Sequence, residues 1–551
     1  MSSTFSGLST ALSGLQTQQK ALETTGHNIA NADTEGYSRQ QVVQTASSPY
    51  ASVGIYTGTA VGQTGTGVEV DAIERITDQF INAQINEETQ DQAYWEKMLE
   101  GLSQIESIFN ESTSSESGLD DALNDFYEAL QDLSSDPEDT AVRKTVQERA
   151  EMVADVFSSI CENLLEYQSS LNEDISTTVD EINSLSSRIA ALNEEIVSVE
   201  NSGQNANDLR DKRDQLLTEL NSYVDVKSSE DSQGNLQITL DGNLLVSKDI
   251  SYDLTVESTG QNQSEVIYSQ TGKAVAVDSG SLGAILELCD ETVAAYLDDI
   301  NQLAESFVEE FNEVHQAGYD LNGDSGGDFF TIEDEDNPAM GISLTDAVAS
   351  DISKIAAGRF SGTYSDNEDV ATVDINDPTL LTDGYQIEVT EIATDEVEYT
   401  VTDAEGNILQ DSSGAALTGT AQEGDTIDLS EELGIQLNIN GIGEANISFT
   451  ASVGNGNNAL ALSNIINNSS LTDTYQSIIT SIGVAGEEAE SMLENQEALL
   501  EQLEEQQASV SGVSLDEELT NLIKFQQAYK ACSTVVTTIN EMLDYLIYIV
   551  E

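Results

Sequence analysis

Residues 26–40 read "GHNIANADTEGYSRQ", and the chain changes character on either side of them. Before them Phe5, Leu8, Leu12, Leu15, Leu22 and Ile29 recur in steps of three and four, with Gln19 and Gly26 at the remaining steps. That spacing predicts a heptad helix. After them "YSRQQVVQT" alternates like a strand,. The stretch itself reads as a helix end followed by turns. Asn28 to Asn31 close the helix, where Asn takes the left-handed conformation or caps with its side chain. Asp33 and Thr34 fit a turn, Gly36 supplies a positive φ, and Tyr37 anchors the departing chain. His27, one of two histidines, reads as a hydrogen-bonded neighbour rather than a ligand. The stretch shapes backbone; it does not catalyse.

Working outward, "ASVGIYTGTAVGQTGTGVEV" is extended or loop chain, and helical periodicity returns from near Ile76 to Phe109,. The longest periodic run lies between about Val146 and Val199. Val146, Ala150, Val153, Phe157, Ile160, Leu164, Tyr167 and Leu171 keep the heptad. Ile175 then follows by four, a stutter that locally unwinds a coiled coil without ending its seam,. Such a stripe requires partner helices. "GNLQITL", "NLLVS", "YDLTV" and "EVIYS" read as strands, helix resumes from about Leu282 to His315, and about Phe360 to Val453 reads as all-β,. Two apolar stripes mark the C-terminal helix. One runs Phe525, Ala528, Cys532, Val535, Ile539, Met542, Leu546, Ile549, and the other includes Leu515, Leu519, Leu522, Tyr529, Val536, Leu543 and Ile547. Two stripes predict two kinds of neighbour. The termini are expected to pack together, with their spare stripes against other subunits.

The resulting fold class is α+β and discontinuous. Heptad helices from residues 1–50 and 508–551 form a terminal assembly domain. Residues 51–357 with 455–507 form a mainly helical middle domain of long bundled helices, with a small β region near 224–280. Residues 358–454 form an inserted all-β domain.

The 18 Lys plus Arg face 101 Asp plus Glu, a formal charge of −83. Such a surface repels phosphate backbones and anionic lipid, so neither nucleic acid nor membrane is expected as a partner. The excess reads as spread along the whole chain, an adaptation to a salty or alkaline milieu where counterions screen repulsion; equal stability in dilute buffer and molar salt would contradict that reading. Cys161, Cys289 and Cys532 are scattered through helical patterns without CxxC spacing and read as small buried hydrophobes,. No secretory signal and no membrane-spanning length is visible.

Catalytic and cofactor motifs are missing from the sequence. His27 and His315 lie in neither HExxH nor GxSxG surroundings, and no GxxxxGK[ST] loop occurs,. "DLNGDSGGDFF" places Asp320, Asn322 and Asp324 at calcium-loop spacing, but Ser325 stands at the sixth position and Thr331 at the twelfth,. A Gly/Asn/Asp turn is the preferred reading. No metal, no cofactor and no enzymatic activity are expected.

"NIANADTEGYSRQ" resembles the N-terminal signature of bacterial flagellar rod, hook and hook-associated proteins. The run Gly36-Tyr37-Ser38-Arg39-Gln40 is similar to the form in the hook-filament junction family, hook-associated protein 1. "SGLDDALNDFYEALQDLSSDPEDTAVRKTVQERAEMVADVF", "NANDLRDKRDQLLTEL" and "DLNGDSGGDFF" resemble that family's internal blocks, and "SGVSLDEELTNLIKFQQAYKACSTVVTTINEMLDYLI" resembles the shared terminal helix. Cys532 departs from the expected Ser or Ala, and the β insertion matches no particular relative. The resemblance implies an extracellular structural protein, exported without a cleaved signal peptide. It implies a position between the flagellar hook protein and the second hook-filament junction protein, self-association in a helical layer, and a cytoplasmic export chaperone for the C-terminal region. The alternatives are another axial flagellar component, or a coiled-coil adhesin using the β insertion. Asn28, Ile29, Asn31, Thr34, Gly36, Tyr37 and Arg39 are the expected assembly signature. Leu8, Leu12, Leu15, Leu22, Phe525, Tyr529, Val535, Ile539, Met542 and Leu546 are the expected assembly-helix contacts.

Overall fold

The computed structural model describes residues 4–48, 65–110, 118–260, 263–366, 369–375, 380, 384–393, 396–411, 414–452, 454–468 and 470–550. Helix α1 (Thr4–Ala30) leads into a hairpin of β1 (Gln40–Ala46) and β2 (Val68–Arg75). The helices α2 (Gln79–Asn110), α3 (Leu119–Ser135), α4 (Thr140–Glu200) and α5 (Asn207–Tyr223) follow. An antiparallel sheet then joins β3 (Lys227–Glu230), β4 (Leu236–Leu240), β5 (Asn243–Ser247) and β6 (Ile250–Ser251), and β7 (Leu254–Gly260) pairs with β8 (Gln263–Tyr268). Helix α6 (Gly280–Glu287) passes through a π turn into α7 (Val293–Gln316). Next come β9 (Phe330–Ile332), α8 (Pro338–Gly341), β10 (Ile342–Leu344) and α9 (Asp346–Ser350).

The β insertion holds β11 (Arg359–Asp366), β12 (Ala371–Ile375), β13 (Gln386–Ala393), β14 (Glu396–Thr402), β15 (Thr418–Ala421), β16 (Thr426–Leu429), α10 (Ser430–Leu433), β17 (Ile435–Ile439) and β18 (Ala445–Ser452). One sheet runs β11-β18-β13-β14-β15 and the other β12-β17-β16. Alternating side chains meet in a shared core that includes Ile387, Val389, Val401, Leu437, Ile447 and Phe449,. Three helices complete the chain: α11 (Asn457–Asn468), α12 (Ser470–Ser511) and α13 (Leu515–Val550).

The chain falls into two compact units. The first comprises Met1–Gly101, Ser170–Asp290 and Glu487–Glu551. Here α1 and α13 lie antiparallel. A Cβ on Gly7 would sit 3.4 Å from Ile539 and one on Gly14 3.1 Å from the Cys532 Sγ, while Asn28 bonds Glu518. The buried face of α1 differs from the expected leucine stripe. It consists of Ala11, Gly14, Thr17, Ala21, Thr24, Thr25 and Asn28, while Leu8, Leu15 and Leu22 are half-buried and Leu12 is 49% exposed. Gln19 and Gly26, expected on the seam, are exposed. Small residues allow close backbone approach, but burying one leucine is worth roughly 1.5–3 kcal/mol and this seam forgoes most of that.

The face of α13 also departs from the expected stripes. Leu522, Phe525, Tyr529, Cys532, Val536, Ile539 and Leu543 are half-buried, a heptad drawn alternately from both; Val535, Met542, Leu515 and Leu519 stand in solvent. Cys532 is only partly buried rather than a core residue. The side chains of Phe5, Leu546 and Ile549, and residues 51–64 of the stretch expected to be extended or loop chain, lie outside the described residues. In the α4 segment of this unit, Leu171, Ile175, Val179, Ile182, Leu185 and Ile189 are buried, carrying the seam through the stutter,. The seam then admits a buried Asn193, which bonds the Leu236 amide (3.0 Å), the carbonyls of Leu236 and Lys248 (2.8 Å each) and Arg213 (3.0 Å). Every polar atom of that amide is satisfied, as burial demands.

The second unit comprises Leu102–Ser169 and Glu291–Gly486. Its helical core centres on Phe126, Phe157, Phe307, Phe311, Phe329 and Phe330, with ring centroids 5.3 Å apart for Phe126–Phe311 and 4.9 Å for Phe329–Phe330,. Burial pushes the Cys161 thiol up to about 11, so it stays a neutral core side chain,. In the first unit burial likewise pushes Cys289 up to about 12.

Candidate assembly site

The signature stretch folds as two successive turns closing α1. The Asn31 amide donates to the His27 carbonyl (3.1 Å), and the Asn31 side chain donates to the same oxygen (2.9 Å), capping the helix end,. Thr34 N–H donates to Asn31 O (3.0 Å) and Tyr37 N–H to Thr34 O (3.2 Å). Gly36 has φ +72°, the left-handed region that a Cβ disfavours,. Its neighbourhood is open enough for a side chain, so backbone conformation alone requires glycine there.

Asn28 is the centre of the site and is 1% exposed. Its Oδ1 accepts the Gln40 N–H (3.0 Å) and the Tyr37 hydroxyl (2.8 Å); its Nδ2 donates to Gln40 O (2.9 Å) and Glu518 Oε2 (3.2 Å). The amide thus grips both backbone groups of Gln40 as a neighbouring strand would, and ties α1, β1 and α13 through one side chain. Burial, then Asp208, Asp211 and Glu518, push the Tyr37 phenol far above its usual range, so it remains a donor,. His27 Nδ1 lies 2.9 Å from the Tyr37 oxygen.

Arg39 fastens the far side. Its Nε and Nη2 both reach Glu518 Oε1 (2.9 and 2.8 Å) and Nη1 reaches Glu517 (3.0 Å). Its backbone N–H donates to Ser511 O (2.9 Å), and its carbonyl accepts the Ile76 N–H (2.8 Å). Glu518 is 2% exposed, so this is a desolvated pair whose strength depends on keeping both partners,. Helix α5 closes a third side. Asp211 accepts Ser38 N–H (3.2 Å) and Arg75 (2.7 Å), Asp214 accepts Arg75 (2.8 Å), and Asp208 accepts the Gln40 amide (2.7 Å). Burial raises the Asp211 carboxyl despite the opposing Arg75 guanidinium.

Of the expected signature residues, Asn28 and Arg39 converge on Glu518 and Tyr37 bonds Asn28; Asn31, Thr34 and Gly36 build the turn, and Ile29 is half-buried on α1. Sequence reasoning missed Glu518, Asp211, Arg75 and Gln40. Among 101 carboxylates nothing singled out Glu518 or Asp211; the one usable signal was Arg39, a scarce cation that needed an anion. In the second unit, Asp320 Oδ1 accepts the N–H groups of Asn322 (2.8 Å) and Asp324 (2.9 Å), and Lys354 Nζ reaches both carboxylates (2.8 and 3.2 Å). An ammonium occupies the place a cation would take in the calcium-loop reading. Burial opposes ionisation of Asp320, but Lys354 and the turn N–H groups hold its carboxyl below the usual range.

A sequence profile for the flagellar hook-associated protein FlgK helical domain matches residues 102–330. Profiles for the flagella basal body rod protein and the C-terminal part of the basal body rod FlgEFG proteins match residues 8–37 and 506–548, the stretches around this site. Flagellar hook-associated protein 1 of Bacillus subtilis (strain 168) is 30% identical, with 99% of this chain and 98% of that protein aligned. The protein of that name from Escherichia coli (strain K12) is 31% identical over 98% and 99% of the two chains. The flagellar hook junction protein FlgK from Burkholderia pseudomallei shares the fold at a TM-score of 0.57 and 18% identity, over 78% of this chain and all of that one. These full-length matches set aside the adhesin and the other-axial-component readings. The chain belongs to the flagellar hook-associated protein 1 family and is a structural junction component of the bacterial flagellum.

Proposed function

We propose that the chain forms the layer on which the filament grows, between the flagellar hook protein and the second hook-filament junction protein, and that its terminal helices complete their folding only in that layer. In this reading residues 1–50 with 508–551 are the assembly domain, 51–357 with 455–507 the supporting middle, and 358–454 a β insertion that adds little to assembly. One observation carries it: α13 leaves Leu519, Ile523, Val535, Met542 (51% exposed), Tyr545 and Tyr548 in solvent while the seam it shares with α1 is built from small residues. Helices with so little intrachain burial are marginal alone and gain stability when neighbours cover them. Contacts around and along the layer are heterologous, because an isologous pair closes on itself. Folding on incorporation also suits export as an unfolded chain held by a cytoplasmic chaperone.

Amide exchange on the secreted monomer tests the folding step. Weak protection of residues 1–30 and 520–551, with strong protection in α4, is expected; strong protection of both termini in the monomer refutes it. Deleting the gene should leave bare hooks by electron microscopy, with flagellin lost to the medium.

A further inference from the structure

The hydrogen bonds of the signature site fix where His27 carries its proton. The Gln40 backbone orients the Asn28 amide without ambiguity, because its N–H can only donate to Oδ1 and its carbonyl can only accept from Nδ2,. Oδ1 therefore accepts the Tyr37 hydroxyl proton (2.8 Å). With that proton committed, the Tyr37 oxygen can only accept from His27 Nδ1, which lies 2.9 Å away. Nδ1 carries the hydrogen, and in the neutral ring Nε2 is bare. That bare nitrogen stands 3.8 Å from a carboxylate oxygen, Asp208 Oδ2. Lone pair faces lone pair, and the contact lacks one proton.

We propose that His27 is a proton-operated latch: a proton taken up at Nε2 pairs the ring with Asp208 and fastens the end of α1 to the start of α5. The inference rests on the assembly reading above and adds to it a control by pH. Both helix ends favour the charged pair. His27 lies in the last turn of α1, where the helix dipole is negative, and Asp208 in the first turn of α5, where it is positive,. The other charges around the ring are already matched. Asp211 and Asp214 hold Arg75 (2.7 and 2.8 Å), Glu518 holds Arg39 (2.8 Å), and Glu23 on α1 holds Lys20 (2.8 Å). Asp33 and Glu35 of the turn stand in solvent. Among the described residues Asp208 has, besides the imidazole, only the Gln40 side-chain amide (2.7 Å). The chain's other histidine, His315, is buried and hydrogen-bonded at both nitrogens, whereas His27 is open to solvent. The pair exists with the proton on and is lost with it off, so α1 docks more firmly as pH falls.

The test measures binding of the full-length chain to hooks isolated from cells lacking the native gene, at pH 6 and at pH 8. The pair is partly exposed, so binding is expected to tighten about two- to fivefold at the lower pH. His27→Gln and Asp208→Asn should each bring that ratio to one, and the double variant should do no more. Equal ratios in the parent and both single variants overturn the latch. Imidazole nitrogen spectra of the histidine-labelled chain on hooks read the proton directly. At pH 8 both rings should carry hydrogen on Nδ1, because His315 donates from Nδ1 to Gly327 and accepts at Nε2 from Ala356. A neutral His27 with hydrogen on Nε2 overturns the assignment and the latch with it. A chain truncated before Leu515 separates the two levels. If it fails to bind while the parent's ratio is one, only the latch falls; if it binds like the parent, the assembly reading falls and takes the latch with it.

Discussion

Replacing Asn28 by alanine removes a side chain that contacts α13, β1 and Tyr37 together. Three of its four hydrogen bonds are to neutral groups and one is to the Glu518 carboxylate. At about 1 kcal/mol for each neutral bond and about 1.5 kcal/mol or more for the charged one, the gross loss is about 4–5 kcal/mol. Gln40 is half-buried, so water recovers part of its share. A net cost of about 3 kcal/mol remains, equivalent to a rise of roughly 150-fold in the concentration needed for assembly. Asn28→Asp is the informative companion. It keeps both acceptor contacts but turns the 3.2 Å donor to Glu518 into a like-charge contact, so it should assemble worse than alanine at neutral pH,. Acidification should then narrow the difference, as the introduced aspartate takes a proton. Filament counts in complemented deletion cells and sedimentation of purified protein both read this. Parent-like incorporation of Asn28→Ala, or Asn28→Asp equal to it at every pH, would refute the reasoning.

Gly36→Val forces a β-branched residue to φ +72°, at a cost of about 1–3 kcal/mol,; it should block incorporation while the thermal melt of the long-helix core is unchanged, and Gly36→Asn should be milder. Gly14→Val drives a side chain into Cys532, only 3.1 Å from the Cβ position, so it should weaken incorporation, and Cys532→Ala should partly restore it,. His315 is buried with Nδ1 bonded to the Gly327 carbonyl (2.7 Å) and Nε2 accepting the Ala356 N–H (2.8 Å), and burial lowers its pKa to about 4. Its neutral form is the stable one, so its contribution is complete above about pH 6.5 and falls by about 3 kcal/mol towards pH 4; urea melts of parent and His315→Gln across that range should diverge in this direction.

How much of this was legible depends on what each signal encodes. Periodicity gave the helix from Val146 to Val199, stutter included, because side chains such as Ile160, Ile182 and Ile189 are both large and buried there. The same rule misplaced the α1 seam. It follows bulk, and α1 buries Ala11, Gly14, Ala21 and Thr25 while holding Leu12 out. Leu8, Leu15 and Leu22 are only half-buried, so the leucine stripe on such a helix is not the face it buries most within the chain. Mixed use of the two α13 stripes has the same origin, since an antiparallel pair with one small-residue partner selects the residues that fit its grooves. Gly36 was readable because a backbone requirement is local, whereas Glu518 lies hundreds of residues from Arg39 and looks like every other glutamate. Charge was the signal most easily misread in bulk. A net of −83 describes the chain as a whole, yet residues 1–22 and 519–540 hold no Asp or Glu and expose neutral Gln and Thr instead.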